Sequence, residues 1–222
     1  MSEHHKHRPT REVPSLVCLE GPLAYARTEA EAFVSAAFRT AYGALITHFM
    51  PTLLTLRHDS GRLLAVLGLR NPGSQPLFLE QYLERPIEQV LSAAAATPVD
   101  RGALVEVGNF AVGTAGGGRW LITALTAYLY SAGKTWAVFT CGPELRNAFR
   151  RLGVDLIELA VADGDCLNDQ ERQRWGSYYA QQPRVMAANV AHSHQVLAAL
   201  FDHECALNAL WHGALQAGRL AA

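Results

Sequence analysis

The stretch Ala103-Leu104-Val105-Glu106-Val107-Gly108-Asn109-Phe110-Ala111-Val112 runs straight into Gly113-Thr114-Ala115-Gly116-Gly117-Gly118, which opens an apolar segment, Arg119–Ala132. Valine, leucine and phenylalanine predict a strand in the first part, the glycines a loop, and the last part a helix. Lys134–Thr140 is the next strand-like run, so the two strands should lie parallel, joined by a right-handed crossover. Without Cβ atoms in the way, main-chain N–H groups of the loop can approach an anion, and the positive end of the following helix points to the same place. A phosphate or pyrophosphate suits such a loop; close strand–helix packing without a ligand is the alternative. Gly118-Arg119-Trp120 stands where a triphosphatase needs Gly-Lys-Ser/Thr, and the loop does not open an alternating βα series. Nucleotide hydrolysis and dinucleotide binding are both disfavoured.

Working outward, Thr28–Tyr42 places Ala32, Phe33, Ala36, Ala37 and Thr40 on one helical face and predicts the first helix. Thr52–Arg57 and Arg62–Arg70 read as strands joined by the polar turn His58-Asp59-Ser60-Gly61, a hairpin. Pro76–Ala96 predicts one or two helices interrupted near Pro86. Beyond the glycine loop, Pro143–Leu152 reads as a helix closed by Gly153, Asp155–Ala162 as a strand, and Val185–Ala217 as a helix-rich region. Residues 1–15 are expected to be a flexible arm, 16–184 one domain, and 185–222 a helical extension that either covers the site or forms a homodimer contact.

The 222 residues are 50% hydrophobic and suit one substantial core. With 19 basic and 20 acidic residues the net charge is -1, so charge-led recruitment to nucleic acid or anionic lipid is disfavoured. Apolar runs such as Leu63–Leu69 are too short to span a bilayer, and Met1–Pro9 leads into no apolar signal region, so a cytoplasmic protein is expected. Cys18, Cys141, Cys166 and Cys205 are scattered and read as reduced structural thiols. His4, His5 and His7 lack a fourth ligand, and no metal site is expected.

The order helix, hairpin, strand, glycine loop, helix, strand, helix, strand resembles the GNAT acyltransferase superfamily. That family's loop reads Gln/Arg-x-x-Gly-x-Gly/Ala; Gly113–Gly118 matches both glycines and lacks the leading Gln/Arg. Ala148-Phe149-Arg150-Arg151-Leu152-Gly153-Val154 resembles a second GNAT region, with Arg150 where a tyrosine often protonates the departing thiolate. A closer resemblance, over about residues 28–190, is to the thermostable hemolysin family. It is carried by Tyr42-Gly43-Ala44, His48-Phe49-Met50-Pro51, Gly68-Leu69-Arg70, Phe78–Leu83, Val105–Ala111, Phe139-Thr140, Leu152-Gly153 and Trp175-Gly176-Ser177-Tyr178-Tyr179. Glu106–Val112 is also similar to the Glu-x-x-Arg-Phe-x-Val segment of acyl-homoserine-lactone synthases, with Asn109 at the arginine position. These resemblances imply an α/β, GNAT-like mixed central sheet flanked by helices, with a β-bulge on the Glu106 strand. They imply an acyl donor, either acyl-CoA or the phosphopantetheine of an acyl carrier protein, held by Phe110, Ala111, Val112, Gly116, Gly117, Gly118 and Arg119, with no tightly bound cofactor. A small amine would be the acceptor.

Acyl transfer to an amine needs a neutral amine, a polarised carbonyl and a thiolate able to leave. Glu106, mid-strand among apolar residues, should either titrate high or hold a cation; a structural pair with Arg70 is the alternative. Asn109, three positions on, should face the opposite side of the strand unless a bulge intervenes. His48 is a candidate base or a hydrogen-bonded loop residue. Glu80, Gln81 and Tyr82 are candidate acceptor contacts, and Trp175, Tyr178 and Tyr179 candidates for lining an acyl tunnel or closing the site; core packing is the alternative for Tyr82 and for at least one of the latter three. Cys141 has no histidine near it in sequence and is disfavoured as an acyl-carrying nucleophile. Arg146, Arg150 and Arg151, with Arg119, make either a local basic surface for a carrier protein or a solvated helix face. Three function classes stand at this stage: an acyltransferase making a small lipid or signalling amide, a membrane-active hemolysin acting directly on bilayers, and a non-catalytic GNAT-like sensor.

Overall fold

A computed structural model describes residues 13–73, 75–113, 116–201 and 205–221. His4, His5, His7, Thr114, Ala115 and most of the expected arm lie outside these. Seven strands form one sheet: β1 (Leu16–Glu20), β2 (Thr52–Arg57), β3 (Leu63–Arg70), β4 (Leu104–Val112), β5 (Trp136–Cys141), β6 (Ile157–Val161) and β7 (Arg184–Asn189), in the order β1-β2-β3-β4-β5-β7-β6. The helices are α1 (Arg27–Tyr42), α2 (Ile87–Ala95), α3 (Gly117–Ser131), α4 (Pro143–Arg151), α5 (Asp169–Arg174), α6 (Val190–Phe201) and α7 (Cys205–Ala221). The β2–β3 hairpin turns at His58–Gly61 as expected, and Phe78–Tyr82 is a single 3-10 turn that precedes the break at Pro86.

Among the described residues only β4 and β5 pair in parallel, from Leu104 opposite Trp136 to Val107 opposite Phe139, and α3 is the crossover between them. That makes the sheet mixed, as expected. Nearly the whole of α3 is buried, including Trp120, Leu121, Ile122, Leu125 and Leu129. Each fully buried leucine or isoleucine there stabilises the fold by roughly 1.5–3 kcal/mol relative to exposure, so the helix that follows the glycine loop is fixed in place by its own core contacts. A smaller core under α2 joins Ile87 and Leu91 to Val138 and Val185, and a third under α1 joins Val34 and Phe38 to Leu53 and Val66.

Two strands depart from the sequence reading. Ser15 already bonds the Arg57 carbonyl, and Leu16–Glu20 continues as an edge strand against β2. Arg184–Asn189, at the start of the expected helix-rich region, is a strand inserted between β5 and β6 and antiparallel to both. Its methionine and alanines are good helix formers, but Val185, Met186, Ala187 and Ala188 are all buried, and an interior slot with partners on both edges overrides local preference. Helices α6 and α7 place Leu197, Leu210, Trp211 and Ala214 in the core beside α3. α7 lies so close that a Cβ on Gly218 would meet the Tyr128 carbonyl oxygen at 2.3 Å. No described residue of α6 or α7 lines the cleft discussed next, so among the described residues these helices buttress the core and do not cover the site.

Candidate functional site

Beyond Val107 and Phe139 the ladder between β4 and β5 ends, although both strands continue. β5 goes on pairing with β7, whereas β4 goes on pairing with β3 through a bulge. Gly68 faces Gly108 and Val66 faces Ala111, so Asn109 and Phe110 together stand across from Leu67. Asn109 takes φ +49°, a left-handed conformation that asparagine tolerates better than other side chains. A cleft of about 600 Å³ opens where the strands part, lined by Gly108–Val112 on one side and Phe139–Gly142 on the other. The Gly113 amide bonds the Leu64 carbonyl on β3, so strand alternation turns the Val112 N–H toward the parted edge.

The bulge settles which way Asn109 faces. A Cβ on Gly68 would lie 2.8 Å from Asn109 Oδ1, and Gly68 shares its face with Arg70 and, across the ladder, Glu106. The extra residue thus brings Asn109 to the Glu106 face. Its Oδ1 accepts the Met50 amide at 2.8 Å, which fixes the orientation of the amide group and leaves Nδ2 as the donor end. Met50 itself occupies the space left by two absent Cβ atoms: one on Gly68 would lie 2.5 Å from Met50 Cβ, one on Gly108 2.5 Å from Met50 Cε. The segment after α1 is thereby pinned over the bulge.

Glu106 is 2% exposed. Oε1 accepts the Leu79 amide at 2.9 Å, and Oε2 accepts the Phe78 amide at 3.2 Å and Arg70 Nη1 at 3.4 Å. Burial raises its pKa above the ordinary carboxylate value; the two amides and Arg70 oppose that without cancelling it. The carboxylate is thus paired to Arg70 and at the same time lines the cleft. Glu80 and Gln81, by contrast, do not line it. Glu80 caps the turn through the Leu77 and Ile87 amides and pairs with Arg101 at 2.7 Å, and its hydrogen bond from Arg101 is the main reason its pKa falls to about 2. Gln81 donates to the Phe78 carbonyl in its own turn.

An aromatic wall encloses the cleft. Trp175 sits at its centre, with ring centroids 6.2 Å from Phe38, 6.0 Å from Phe78, 5.1 Å from Tyr178 and 6.0 Å from Tyr179. Tyr82 and Tyr179 share a short hydroxyl–hydroxyl bond, and burial raises the pKa of both, Tyr179 to about 12. Tyr178 donates to the Thr140 carbonyl at 3.4 Å. Gly176 makes the wall possible: with φ +55°, it lets the chain run so close to the end of α1 that a Cβ would lie 2.2 Å from the Tyr42 carbonyl oxygen. His48 is exposed at the cleft, its Nδ1 3.1 Å from the Thr47 hydroxyl. Cys141 is buried, and desolvation pushes its thiol up to about 12, which disfavours a nucleophilic thiolate.

At the glycine loop, Gly116 caps α3 with φ +88°, and Gly117 and Gly118 begin the helix. Gly118 lines the cleft with Phe110, Ala111 and Val112; Gly116, Gly117 and Arg119 do not. Gly118 thus brings the helix start, whose first-turn amides have no intrahelical partner, to the wall of the cleft beside the parted strand edge. Arg146 lies 3.7 Å from Glu158, and Arg150 and Arg151 are exposed. No cluster of metal-ligating side chains occurs among the described residues. Sequence reasoning missed Tyr42, Arg174 and the stacked Phe139–Phe149 pair, 5.0 Å apart, all of which line the cleft. Tyr42-Gly43 and Phe139-Thr140 were visible as family-like segments, but nothing local indicates that they meet.

A family model described as thermostable hemolysin matches residues 22–194. No curated protein matches the sequence. Among solved structures, the fold is similar to that of FeeM, an N-acyl amino acid synthase from uncultured soil microbes, at 19% identity and a TM-score of 0.55, covering 83% of this chain and 97% of that one. It is also similar to BjaI, a CoA-dependent acyl-homoserine lactone synthase with SAM and isopentyl-CoA, at 12% identity and a TM-score of 0.55, covering 84% and 88%. The acyl-homoserine lactone synthase LasI matches at 11% identity and a TM-score of 0.52, covering 79% and 89%. At these identities the likeness establishes a shared GNAT-like fold.

Proposed function

The chain belongs to the thermostable hemolysin family, and we propose that it is an N-acyltransferase, moving an acyl chain from a thioester to an amine to make a small lipid or signalling amide. The observation that carries this reading is the parting of β4 from β5 beyond Val107 and Phe139, beside the glycine-capped start of α3. An unpaired strand edge offers main-chain groups to a pantetheine arm, and the helix start offers amides to the phosphate that follows it. The donor is acyl-CoA or acyl carrier protein, and we place the reaction in the cytoplasm, where both occur. FeeM and BjaI, by their names, carry out acyl transfers of this class on the same fold.

In this reading the thioester lies along Phe110–Val112 and the glycine loop, with the Val112 N–H on the parted edge as donor. The acyl chain enters the apolar part of the cleft, toward Leu125, Phe139 and Phe149. The amine nitrogen attacks the thioester carbonyl carbon, the new C–N bond forms, and the C–S bond breaks as the tetrahedral intermediate collapses. Glu106, its pKa raised by burial, or His48 takes the proton lost by the amine, which ends on the departing sulfur. Asn109 holds the bulge through Met50 and presents Nδ2 to the reacting groups.

The test is release of thiol from medium- and long-chain acyl-CoA and acyl carrier protein in the presence of mixed amines, with the amide identified by mass spectrometry. Thiol release dependent on amine is expected, with Glu106→Gln lowering it at least tenfold. CoA binding without turnover would point to a sensor, and lysis of erythrocytes by purified, lipid-free protein would point to direct membrane action. No helix among the described residues is long and apolar enough to cross a membrane.

A further inference from the structure

Arg70 is a cation that the fold does not use up. It ends β3 directly across from Glu106, yet a single Nη1 contact at 3.4 Å is its one hydrogen bond among the described residues, and Glu106 is already held at 2.9 and 3.2 Å by the Leu79 and Phe78 amides. The side chain is 32% exposed and lines the cleft. The Nε–Nη2 edge of the guanidinium, which matches a planar carboxylate through two parallel bonds, has no partner among those residues. On the same face, two strand positions away, Asn109 lies over Gly68 with Oδ1 committed to Met50 and Nδ2 left to donate. Two positions along a strand span roughly 6–7 Å. The backbone positions that carry these donors are therefore about one small amino acid apart, with the parting of the strands at the Asn109 end.

We propose that Arg70 is the carboxylate anchor of the acceptor site, and that the acceptor is an amine bearing a carboxylate on the adjacent carbon: a free amino acid. This rests on the acyl-transfer reading of the same cleft and names its substrate class. The carboxylate seats on the free edge of Arg70, and the α-nitrogen points along the strand toward the bulge, between Glu106 and Asn109. The α-ammonium first releases one proton to solvent; the neutral nitrogen then attacks the thioester carbon, its second proton passes to the base as the C–N bond forms, and the C–S bond breaks. The products are an N-acyl amino acid, which keeps its free carboxylate, and a thiol that has taken up the proton. A decarboxylated amine or a carboxamide would leave the guanidinium edge unpaired and lose the charge-assisted bonds that orient the nucleophile.

The experiment pairs glycine, leucine and phenylalanine with their carboxamides, measuring kcat/KM for thiol release from acyl-CoA in wild type, Arg70→Lys and Arg70→Met. The wild type should prefer the carboxylate by about 10–100-fold, the range expected for a charge-assisted pair, Arg70→Lys should keep part of that preference, and Arg70→Met should abolish it. The preference is a ratio within one protein preparation, so partial unfolding of a variant does not move it. Equal use of carboxamide and amino acid by the wild type, or a preference that survives in Arg70→Met, overturns the assignment. Titration calorimetry of the same pairs against protein saturated with a non-reactive thioether analogue of acyl-CoA separates this from the underlying reading. Carboxylate-dependent binding without turnover would overturn acyl transfer alone, turnover without carboxylate preference would overturn Arg70 alone, and neither binding nor turnover would overturn both.

Discussion

Replacing Gly68 by alanine tests whether the bulge at Asn109 is held from outside the sheet. Gly68 has ordinary strand geometry, so alanine costs nothing in backbone strain and, by restricting the unfolded chain, should gain about 0.5–1 kcal/mol. Against that, the new Cβ would lie 2.5 Å from Met50 Cβ, 2.6 Å from Met50 Cγ and 2.8 Å from Asn109 Oδ1. The first two atoms are the base of the Met50 side chain, not its mobile end, so relief requires the Met50 backbone to move, and with it the amide that Asn109 Oδ1 accepts. Overpacking of this kind costs about 1–3 kcal/mol, and the lost hydrogen bond adds about 1 kcal/mol. The net expectation is a loss of about 1–3 kcal/mol, a fall in Tm of roughly 3–10 °C for a chain of this size. Gly108→Ala is the internal comparison: there the close atom is Met50 Cε, at 2.5 Å, while Cγ is 3.6 Å away, and a methionine methyl can swing aside. It should cost less than about 1 kcal/mol. Differential scanning calorimetry and urea titration read both, and acyl-thioester turnover should fall in Gly68→Ala as Asn109 is displaced. If Gly68→Ala is as stable as wild type, or the two alanine variants are equally destabilised, Met50 does not brace the bulge and the geometry assigned to Asn109 is wrong.

Three further outcomes follow from the site. Glu80 titrates at about 2 in the fold against an ordinary value of 4.5, so it contributes stability above the higher value that is lost as pH falls through the lower. The stability gap between wild type and Glu80→Gln, read by urea titration, should therefore be widest above pH 5 and shrink steadily toward pH 2; a gap independent of pH would refute the Arg101 pairing. Gly176→Ala places a Cβ 2.2 Å from a backbone oxygen at φ +55°, and should cost more than about 2 kcal/mol and loosen the Trp175 wall, seen as a red-shifted tryptophan emission. Glu106, whose pKa burial raises, should set an acid limb in the pH profile of kcat/KM lying above the ordinary carboxylate range and absent in Glu106→Gln; an unchanged limb in that variant would move the base to His48.

The parallel pair, the crossover helix and the hairpin were legible because each rests on a local signal: alternation or apolar runs for strands, a glycine cluster for the loop, a polar turn at His58–Gly61. β7 was not. Val185-Met186-Ala187-Ala188 has no strand signature of its own, and becomes a strand only because β5 and β6 leave a slot of that width between them. β1 is five residues at an edge, with too short a pattern to separate from a loop. The same division runs through the site. Glu106, Asn109 and the residues of the glycine loop lie within one continuous stretch, so the strand on which the proposed chemistry rests could be read directly, and the family resemblance supplied the bulge that its periodicity does not reveal.

What sequence order hides is the convergence. Phe38 and Tyr42 at the end of α1, Phe78 and Tyr82 in the 3-10 turn, and Trp175–Tyr179 in the polar segment before β7 each read locally as helix face, turn or loop, yet their rings meet in one wall. The contact that assembles them is backbone to backbone: Leu45 N–H donates to the Arg174 carbonyl, Ser177 N–H donates to the Tyr42 carbonyl, and Gly176 lies between them. The sequence signal for that docking is one glycine, Gly176, which the resemblance singles out only as part of a motif. Its physical meaning is that two distant segments must touch there without a side chain between them. Because the bulge at which β4 leaves β5 is braced through Met50, whereas the aromatic wall is assembled at the Gly176 approach, Gly176→Ala should weaken turnover while leaving binding of CoA at the α3 start within about twofold of wild type, as read by calorimetry. Equal loss of both would mean that the wall and the parted strands form one cooperative unit.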